Sequence, residues 1–260
     1  MKLYKKIIEA QCEQADVKTD LIIIHGLFGM SDNWISIGKQ LSEERRVIIP
    51  DLRNHGRSPH SEEFSVDIMV EDIIELMDHL NSPKAIILGH SMGGRVGMRL
   101  ALLHQNRVKK IIVADMSMRP PKLRAEHWLI FQTMKDAPIE KMKSYKEIES
   151  FLRKHITSQR LVLFILKNIS KTNGVYSWKL NFKTLINSFE KEISPLVKNE
   201  VYDGPALFIR GGKSDYILDE DIDKINEHFP LTILETIDGA GHWLHADKPK
   251  DFIHLVKSFL

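Results

Sequence analysis

Short runs of Ile, Leu and Val alternate along the chain with longer amphipathic stretches. The runs are bounded by charged residues, Gly or Pro, as buried strands of a parallel sheet commonly are. The predicted strands are DLIIIHG, RRVIIPD, PKAIILGHS, VKKIIVADM, GPALFIRGG and LTILETIDGAGH. Between them, apolar positions recur three and four residues apart, which predicts helices. The predicted helices are SVDIMVEDIIELMDHLN with Ser65 as its N-cap, GGRVGMRLALLHQN, DEDIDKINEHFP and PKDFIHLVKSFL.

This alternation predicts an α/β fold, in which a mostly parallel, doubly wound sheet is flanked by helices. One long segment interrupts it, because residues 119–200 contain Lys-rich helical stretches with Trp, Phe and Leu and no buried strand. A loop of this length without secondary structure is uncommon. We therefore predict a core domain of residues 1–118 and 201–260, with residues 119–200 as a helical lid inserted in the same domain. Its end is predicted near ISPLV, residues 193–197.

Composition narrows the class of protein. The 260 residues are 43% apolar and carry a formal net charge of +2, so the chain can bury a large core and has no basic excess of the kind that binds nucleic acid. The one cysteine, Cys12, is interpreted as a minor thiol and fits a reducing compartment. The N-terminal stretch lacks the apolar core of a secretory signal, and the apolar runs are shorter than a bilayer span of about 20 residues. These features predict a cytoplasmic protein without a membrane span.

The stretch GHSMGG places a serine between a predicted strand and a predicted helix. Gly89 to Gly93 fits the pattern G-x-S-x-G in the strand–turn–helix context that this pattern requires. A serine hydroxyl needs a base to become a nucleophile, and His242, in GAGHWLH after the last strand, is the candidate. A serine that only packs in a tight turn is the lesser alternative. Ser91 and His242 therefore predict nucleophilic acyl chemistry.

Two backbone amides are needed to stabilise the oxyanion of such a reaction. The Met92 amide lies at the start of the helix after Ser91, where unpaired donors and the helix dipole favour negative charge. The second donor is expected from the HGLFG turn, at Leu27, with Phe28 in reserve.

The motifs HGLFG, DLRNHGRSP, GHSMGG and GAGHWLHADKP occur in the order found in the α/β-hydrolase superfamily, which the chain resembles over essentially its whole length. HGLFGMSDNW, DLRNHGRSPH, RGGKSDYI and GAGHWLHADKP are more narrowly similar to small bacterial esterases typified by YbfF and to their mitochondrial abhydrolase relatives. The resemblance implies a serine hydrolase that cleaves carboxylic esters or acyl thioesters of small molecules and needs no cofactor. Members with an aspartate nucleophile are disfavoured, because position 91 is a serine.

The resemblance also supplies two candidates for the acid that orients His242. Asp215, in GGKSD, stands where the superfamily usually keeps its acid. Asp115 ends the strand IIVAD, where the YbfF-type enzymes are understood to keep theirs. Both lie at the carboxyl edge of the predicted sheet, so both can reach His242, and we favour Asp115 narrowly.

Aromatic residues are the candidates for substrate binding. In a lid they can line an acyl pocket, although at helical spacing they more often form its core. The predicted substrate-binding residues are Phe28, Trp128, Phe131, Trp178 and Trp243. The lysines between residues 135 and 191 can attract the phosphates of a coenzyme A thioester or form a solvated helix face.

Two alternative functions share the same features. The first is hydrolysis of a carbon–carbon bond by the same three residues, and the second is ligand binding without catalysis. A metal site is not predicted, because His242 and His245 share a helical spacing without a third ligand. The remaining histidines near these motifs are predicted to be structural or to contact the site residues without taking part in the chemistry: His25, His55, His60, His90 and His245.

Overall fold

The computed structural model describes residues 1–11, 18–120, 123–192 and 200–260. Cys12 and the ISPLV stretch, which the sequence predicts to be a minor thiol and the end of the insertion, lie outside the described residues. The first half of the chain contains, in order, β1 (Lys5–Ile8), β2 (Lys18–Ile24), α1 (Ile35–Leu41), β3 (Arg45–Pro50), α2 (Val66–His79), β4 (Ala85–His90), α3 (Met92–Leu103) and β5 (Val108–Ala114).

The second half begins with the segment that interrupts the alternation of strands and helices. It contains α4 (Ala125–Asp136), α5 (Tyr145–His155), α6 (Gln159–Leu166), β6 (Ile169–Thr172), β7 (Val175–Trp178) and α7 (Phe182–Glu192). The alternation then resumes with β8 (Ala206–Gly211), α8 (Ile222–His228), β9 (Thr232–Ile237), α9 (Leu244–Asp247) and α10 (Pro249–Phe259).

The main sheet has the strand order β1-β3-β2-β4-β5-β8-β9, and β1 is its antiparallel edge strand. The other neighbouring strands pair in parallel. Successive residues of a strand face opposite sides of a sheet. Accordingly, Ile22 and Ile24 of β2 join an apolar cluster with α2 and α3, whereas Leu21 and Ile23 join one with α1 and α10. Helices therefore cover both faces, and the predicted α/β fold is confirmed.

The register of the central strands brings their carboxyl ends to one edge. His90, the last residue of β4, pairs with Ala114, the last residue of β5, and Ala114 pairs with Ile209 of β8. The residues that follow, Ser91 and Asp115, continue this alignment, since the Ser91 amide donates to the Ala114 carbonyl oxygen at 3.1 Å. Polar residues at the strand ends are thus neighbours in space although they are distant along the chain.

The six predicted strands correspond to β2, β3, β4, β5, β8 and β9. The predicted cap of α2 is also confirmed, because the Ser65 hydroxyl accepts a hydrogen bond from the Ile68 amide at 3.2 Å. Among the described residues, no helix is both long and apolar enough to cross a bilayer.

The expectation of helices alone between residues 119 and 200 is wrong in one place. There β6 and β7 form an antiparallel hairpin, with Ile169 opposite Trp178 and Thr172 opposite Val175. Its two-residue turn is Asn173-Gly174, and both residues have positive φ, at 51° and 85°. Asn-Gly is the sequence most suited to such a turn, so the signal was present in TNGV.

Candidate active site

Ser91 lies in the turn between β4 and α3 with a φ of 54°, in the left-handed region that strains a residue with a side chain. The glycines around it allow α3 to pack very close to the sheet. A Cβ on Gly93 would lie 2.2 Å from the Ile24 carbonyl oxygen, and one on Gly89 would lie 2.2 Å from the Gly93 carbonyl oxygen. The G-x-S-x-G pattern is therefore a steric requirement of this turn, which presents the serine at the edge of the sheet.

Ser91, His242 and Asp115 form a continuous chain of hydrogen bonds. His242 Nε2 lies 3.0 Å from Ser91 Oγ, and His242 Nδ1 lies 2.7 Å from Asp115 Oδ2. A carboxylate only accepts hydrogen bonds, so Nδ1 donates to Asp115, which leaves Nε2 of a neutral ring to accept from the serine hydroxyl. The three residues come from the ends of β4 and β5 and from the loop after β9.

Asp115 is fully buried and is held by two further donors. The Gly211 amide donates to Oδ1 at 3.0 Å, and the Ser214 hydroxyl donates to Oδ2. Burial raises the pKa of Asp115 to about 6, although the hydrogen bonds from Ser214 and Gly211 oppose this rise. Burial likewise lowers the pKa of His242 to about 3. At neutral pH the pair therefore consists of an ionised carboxylate and a neutral imidazole, which is able to accept a proton.

Asp215 lies apart from this chain of hydrogen bonds. Its side chain is 69% exposed, and its carboxylate pairs with the guanidinium of Arg124, just before α4. Burial raises the pKa of Asp215, but the hydrogen bond and charge of Arg124 outweigh that effect and leave the pKa below its ordinary value. Of the two candidate acids, the structure brings Asp115 to the imidazole and leaves Asp215 on Arg124.

The HGLFG turn passes beside the serine, since a Cβ on Gly26 would lie 3.1 Å from the Ser91 Cβ. The Gly26 carbonyl oxygen accepts hydrogen bonds from His25 Nδ1 at 2.8 Å and from the Gly29 amide at 3.0 Å. Because a trans peptide directs its N–H opposite to its C=O, these bonds orient the Leu27 amide away from them. Within the described residues, the amides of Leu27 and Met92 have no hydrogen-bond acceptor.

The reserve donor, Phe28, has a φ of 63°, and a residue of the inserted segment holds its peptide group. The buried Asn168, between α6 and β6, donates from Nδ2 to the Phe28 carbonyl oxygen at 2.9 Å. His25 fixes the other side of the turn, because its Nε2 accepts from the Leu52 amide at 3.0 Å. Burial lowers the pKa of His25 to about 4, so the ring stays neutral and keeps both bonds.

A cavity of about 890 Å³ opens beside Ser91 and His242. The inserted segment contributes part of its wall through Ile130, Leu163 and Phe164. Two of the predicted substrate-binding residues, Phe28 and Trp243, lie on the wall. The cavity is therefore lined jointly by the core and the insertion.

The other three aromatic candidates do not line this cavity. Trp128 is 47% exposed, on the outside of α4. Phe131 is buried behind Phe28, with the ring centroids 4.8 Å apart. Trp178 donates from Nε1 to the Met134 carbonyl oxygen at 3.2 Å. The sequence identified these residues as aromatic positions of the insertion, but it did not give the direction in which each side chain points.

Several contacts of His242 were not predicted from the sequence. The Tyr216 ring is stacked on the imidazole, and His90 Nε2 donates to the His242 carbonyl oxygen at 2.9 Å. Arg124 lies over Tyr216, and Arg160 lies over Trp243. Tyr216 directly follows Asp215 in the motif RGGKSDYI, but nothing in the single sequence assigns it a contact with His242.

The described lysines of the inserted segment lie mostly away from the cavity. Of the lysines that the structure describes between residues 135 and 191, Lys167 lies on the cavity wall. No group of three or more His, Cys, Asp or Glu side chains is arranged to hold a metal ion anywhere in the described part of the chain.

The chain was compared with known proteins and structures. Residues 20–137 match the alpha/beta hydrolase fold family. The chain is 36% identical over 248 residues to the sn-1-specific diacylglycerol lipase ABHD11 of Danio rerio, an alignment that covers 93% of this chain and 78% of that protein. It is 30% identical over 240 residues to esterase YbfF of Escherichia coli, which covers 92% of each.

A solved structure described as a marine microorganism esterase superposes with a TM-score of 0.93 at 38% identity and covers 100% of this chain and 99% of that one. The predicted resemblance to YbfF-type esterases and abhydrolases is thereby confirmed. On these matches and on its fold, the chain belongs to the α/β-hydrolase family, and its esterase and lipase relatives support hydrolase activity.

Proposed function

We propose that the protein is a serine hydrolase that cleaves carboxylic esters or acyl thioesters of small molecules through a triad of Ser91, His242 and Asp115. The observation that carries this proposal is the unbroken chain from Ser91 Oγ to His242 Nε2, at 3.0 Å, and from His242 Nδ1 to Asp115 Oδ2, at 2.7 Å. An arrangement of nucleophile, base and orienting carboxylate suits acyl transfer. Its esterase and lipase relatives support the same class of reaction.

In the first half of the reaction, Ser91 Oγ attacks the acyl carbonyl carbon while His242 Nε2 takes the hydroxyl proton. Asp115 stabilises the imidazolium that forms, because its carboxylate lies against Nδ1. The amides of Leu27 and Met92 donate to the oxyanion of the tetrahedral intermediate. Collapse of the intermediate breaks the bond to the alcohol or thiol, which leaves with the proton held by His242.

The second half releases the acyl group. Water attacks the acyl-enzyme carbonyl carbon, His242 takes one proton from it, and the same two amides hold the second oxyanion. Ser91 then leaves with a proton returned by His242, and a carboxylic acid is released. The balance of atoms is that of hydrolysis, and no cofactor takes part.

We propose a lid role for residues 119–200 over a core of residues 1–118 and 201–260. Three residues of the segment, Ile130, Leu163 and Phe164, form part of the cavity wall beside the proposed nucleophile. These apolar side chains contact an acyl chain together with Phe28 and Trp243, beside polar side chains of the same segment such as Arg160 and Lys167. The cytoplasmic location stays a prediction from the sequence.

The test compares the parent protein with Ser91→Ala, using p-nitrophenyl acetate. Removal of the nucleophile should lower kcat at least about 1000-fold. The matched control is Ser258→Ala, because Ser258 lies on α10 with its hydroxyl bonded to the His254 carbonyl oxygen.

The same assay tests which carboxylate is the acid of the triad. Asp115→Asn should lower kcat far more than Asp215→Asn does. A Ser91→Ala protein as active as the parent contradicts the proposal, and the reverse order of the two Asn variants reassigns the acid.

A substrate panel defines the leaving group and separates the rival functions. Oxygen esters and coenzyme A thioesters of increasing acyl length are compared with a vinylogous diketone, the type of substrate in which a carbon–carbon bond is hydrolysed. Activity on the acyl substrates alone supports the proposal, and activity on the diketone alone replaces it with carbon–carbon hydrolysis. Failure of a fluorophosphonate to label the protein, together with no hydrolysis of these substrates, favours the alternative of ligand binding without catalysis.

A further inference from the structure

Three flat groups are layered beside the cavity. The rings of Tyr216 and His242 are parallel within 9°, with centroids 3.5 Å apart. The guanidinium carbon of Arg124 lies 3.8 Å from the centroid of Tyr216. Two groups this close cannot share one face of a ring, so Arg124 and His242 cover opposite faces of Tyr216.

The inserted segment holds this arrangement at two points. Arg124 pairs with the carboxylate of Asp215, the residue before Tyr216. Arg119 donates from Nη2 to the carbonyl oxygens of Asp215 and Tyr216, at 3.0 and 3.3 Å, and its Nε pairs with Asp221 at 2.7 Å. Both arginines lie in the stretch between β5 and α4, so the loop after β8 is fixed from the start of the insertion.

The stacking of Tyr216 on His242 restricts a tilting motion of the imidazole that its hydrogen bonds permit. The bonds to Ser91 and Asp115 lie close to the plane of the ring and fix its two nitrogen atoms, but they permit the ring to tilt about the line that joins those atoms. Tyr216 blocks this tilt on one face. The His90 ring contacts the imidazole from another direction, with the two ring centroids 4.8 Å apart and the two ring planes at 36°.

We propose that Tyr216 is a positioning residue for His242, and that Arg124 and Asp215 keep Tyr216 in place. This inference rests on the proposed function, since it assumes that His242 is the base. It gives a role to Asp215 that differs from that of the triad acid, because Asp215 anchors the guanidinium that covers Tyr216. It also connects the inserted segment with the chemistry, as Arg124 reaches the base through a single aromatic ring.

The experiment measures kcat and KM on a p-nitrophenyl ester for Tyr216→Leu, Tyr216→Phe and the parent. Because misplaced catalytic groups lower the rate more than binding, Tyr216→Leu should lower kcat about 10- to 100-fold and change KM less than about 3-fold. Tyr216→Phe keeps the aromatic face and should stay within about 2-fold of the parent. Tyr216→Met is a second variant without a ring, for use if the leucine variant does not fold.

The matched control is Tyr4→Leu, which removes another tyrosine covered by an arginine, with Arg57 at 5.0 Å from the ring centroid. Its kcat should equal that of the parent. Arg124→Gln should lower kcat about 3-fold in the parent and not further in Tyr216→Leu, because the guanidinium acts through the ring. Equal losses in both backgrounds overturn the role of Arg124.

Ser91→Ala in the same assay separates the two proposals. If it is inactive while Tyr216→Leu, folded by circular dichroism, matches the parent in kcat, the positioning role is overturned and the proposed function stands. A loss that appears in KM alone also overturns the positioning role, because it assigns Tyr216 to substrate binding. If Ser91→Ala retains the parental rate, the proposed function itself is contradicted.

Discussion

Asp115 and His242 both lie in surroundings that oppose charge, yet the proposed reaction needs the carboxyl ionised and the imidazole neutral. Burial raises the pKa of the carboxyl to about 6 and lowers the pKa of the imidazole. The ionised carboxylate is kept by the donors that converge on it, the Gly211 amide and the Ser214 hydroxyl. The working state of this pair is therefore present above the pKa of Asp115 and is lost when the carboxyl is protonated.

The pH dependence of hydrolysis follows from this shift. An acid with a raised pKa is ionised above that pKa, so kcat/KM should be constant at neutral pH and fall as the pH drops below about 6. The measurement is kcat/KM for a p-nitrophenyl ester between about pH 4 and about pH 8, with substrate stability checked in the absence of enzyme. If kcat/KM stays constant down to about pH 4, the prediction that protonation of Asp115 lowers activity in acid is contradicted.

At the residue scale, the sequence singles out candidate residues where a motif is local. Ser91 is identified by its glycine neighbours, and His242 by its place after the last strand. Asp115 and Asp215 are not distinguished in this way, since both follow neighbouring parallel strands. The two differ in their partners in space. The loop after β8 places Asp215 beside Arg124, which lies 91 residues earlier in the chain. Contacts between residues so far apart in the sequence leave no repeating pattern of residues from which they could be predicted.

At the scale of elements, buried strands and long amphipathic helices were predictable because their apolar positions follow a period. The unpredicted elements of the main fold are β1, α1 and α9, which are short. The sequence of β1 is KKII, and as an edge strand it is half exposed and rich in lysine, which hides the alternation of buried strands. Short elements are formed by the surroundings against which they pack more than by their own pattern.

The cap of α2 gives a prediction at this scale. Ser65→Ala removes the acceptor for the Ile68 amide and should lower the free energy of unfolding by about 1 kcal/mol. The matched control is Ser65→Asp, which keeps an acceptor at the N-cap and should retain the parental value. Urea unfolding followed by circular dichroism measures both variants. An alanine variant as stable as the parent means that the bond, at 3.2 Å, contributes nothing to stability.

At the scale of the whole molecule, the inserted segment is tied to the core at sites around the cavity. Asn168 donates to the Phe28 carbonyl oxygen, and the Asn181 amide donates to the Asn54 carbonyl oxygen at 3.1 Å. Arg160 of α6 pairs with a carboxylate of α9. On the proposed lid role, an opening of this segment as a rigid body breaks the bond to the turn that carries Leu27 and Phe28, so we expect access to the cavity and the geometry of the proposed oxyanion site to be coupled.

Asn168→Ala tests that coupling. The variant leaves the buried Phe28 carbonyl oxygen without its donor and should lower the free energy of unfolding by about 1 to 3 kcal/mol. It should also lower kcat, because the turn is no longer fixed. Gln132→Ala, an exposed amide on α4, is the control and should change stability by less than about 0.5 kcal/mol. A destabilised Asn168→Ala protein with parental kcat shows that the hydrogen bond from Asn168 to Phe28 contributes to stability alone.

The hydrogen-bonded partners of His242 lie 127 and 151 positions earlier in the chain. During synthesis, the serine and the carboxylate emerge from the ribosome long before the imidazole. A nascent chain can therefore complete its central strands and still lack hydrolytic activity. On the proposed mechanism, the onset of ester cleavage then marks the moment when β9 joins its neighbour and delivers the base. Activity that appears during translation or refolding then reports that the last strand has docked.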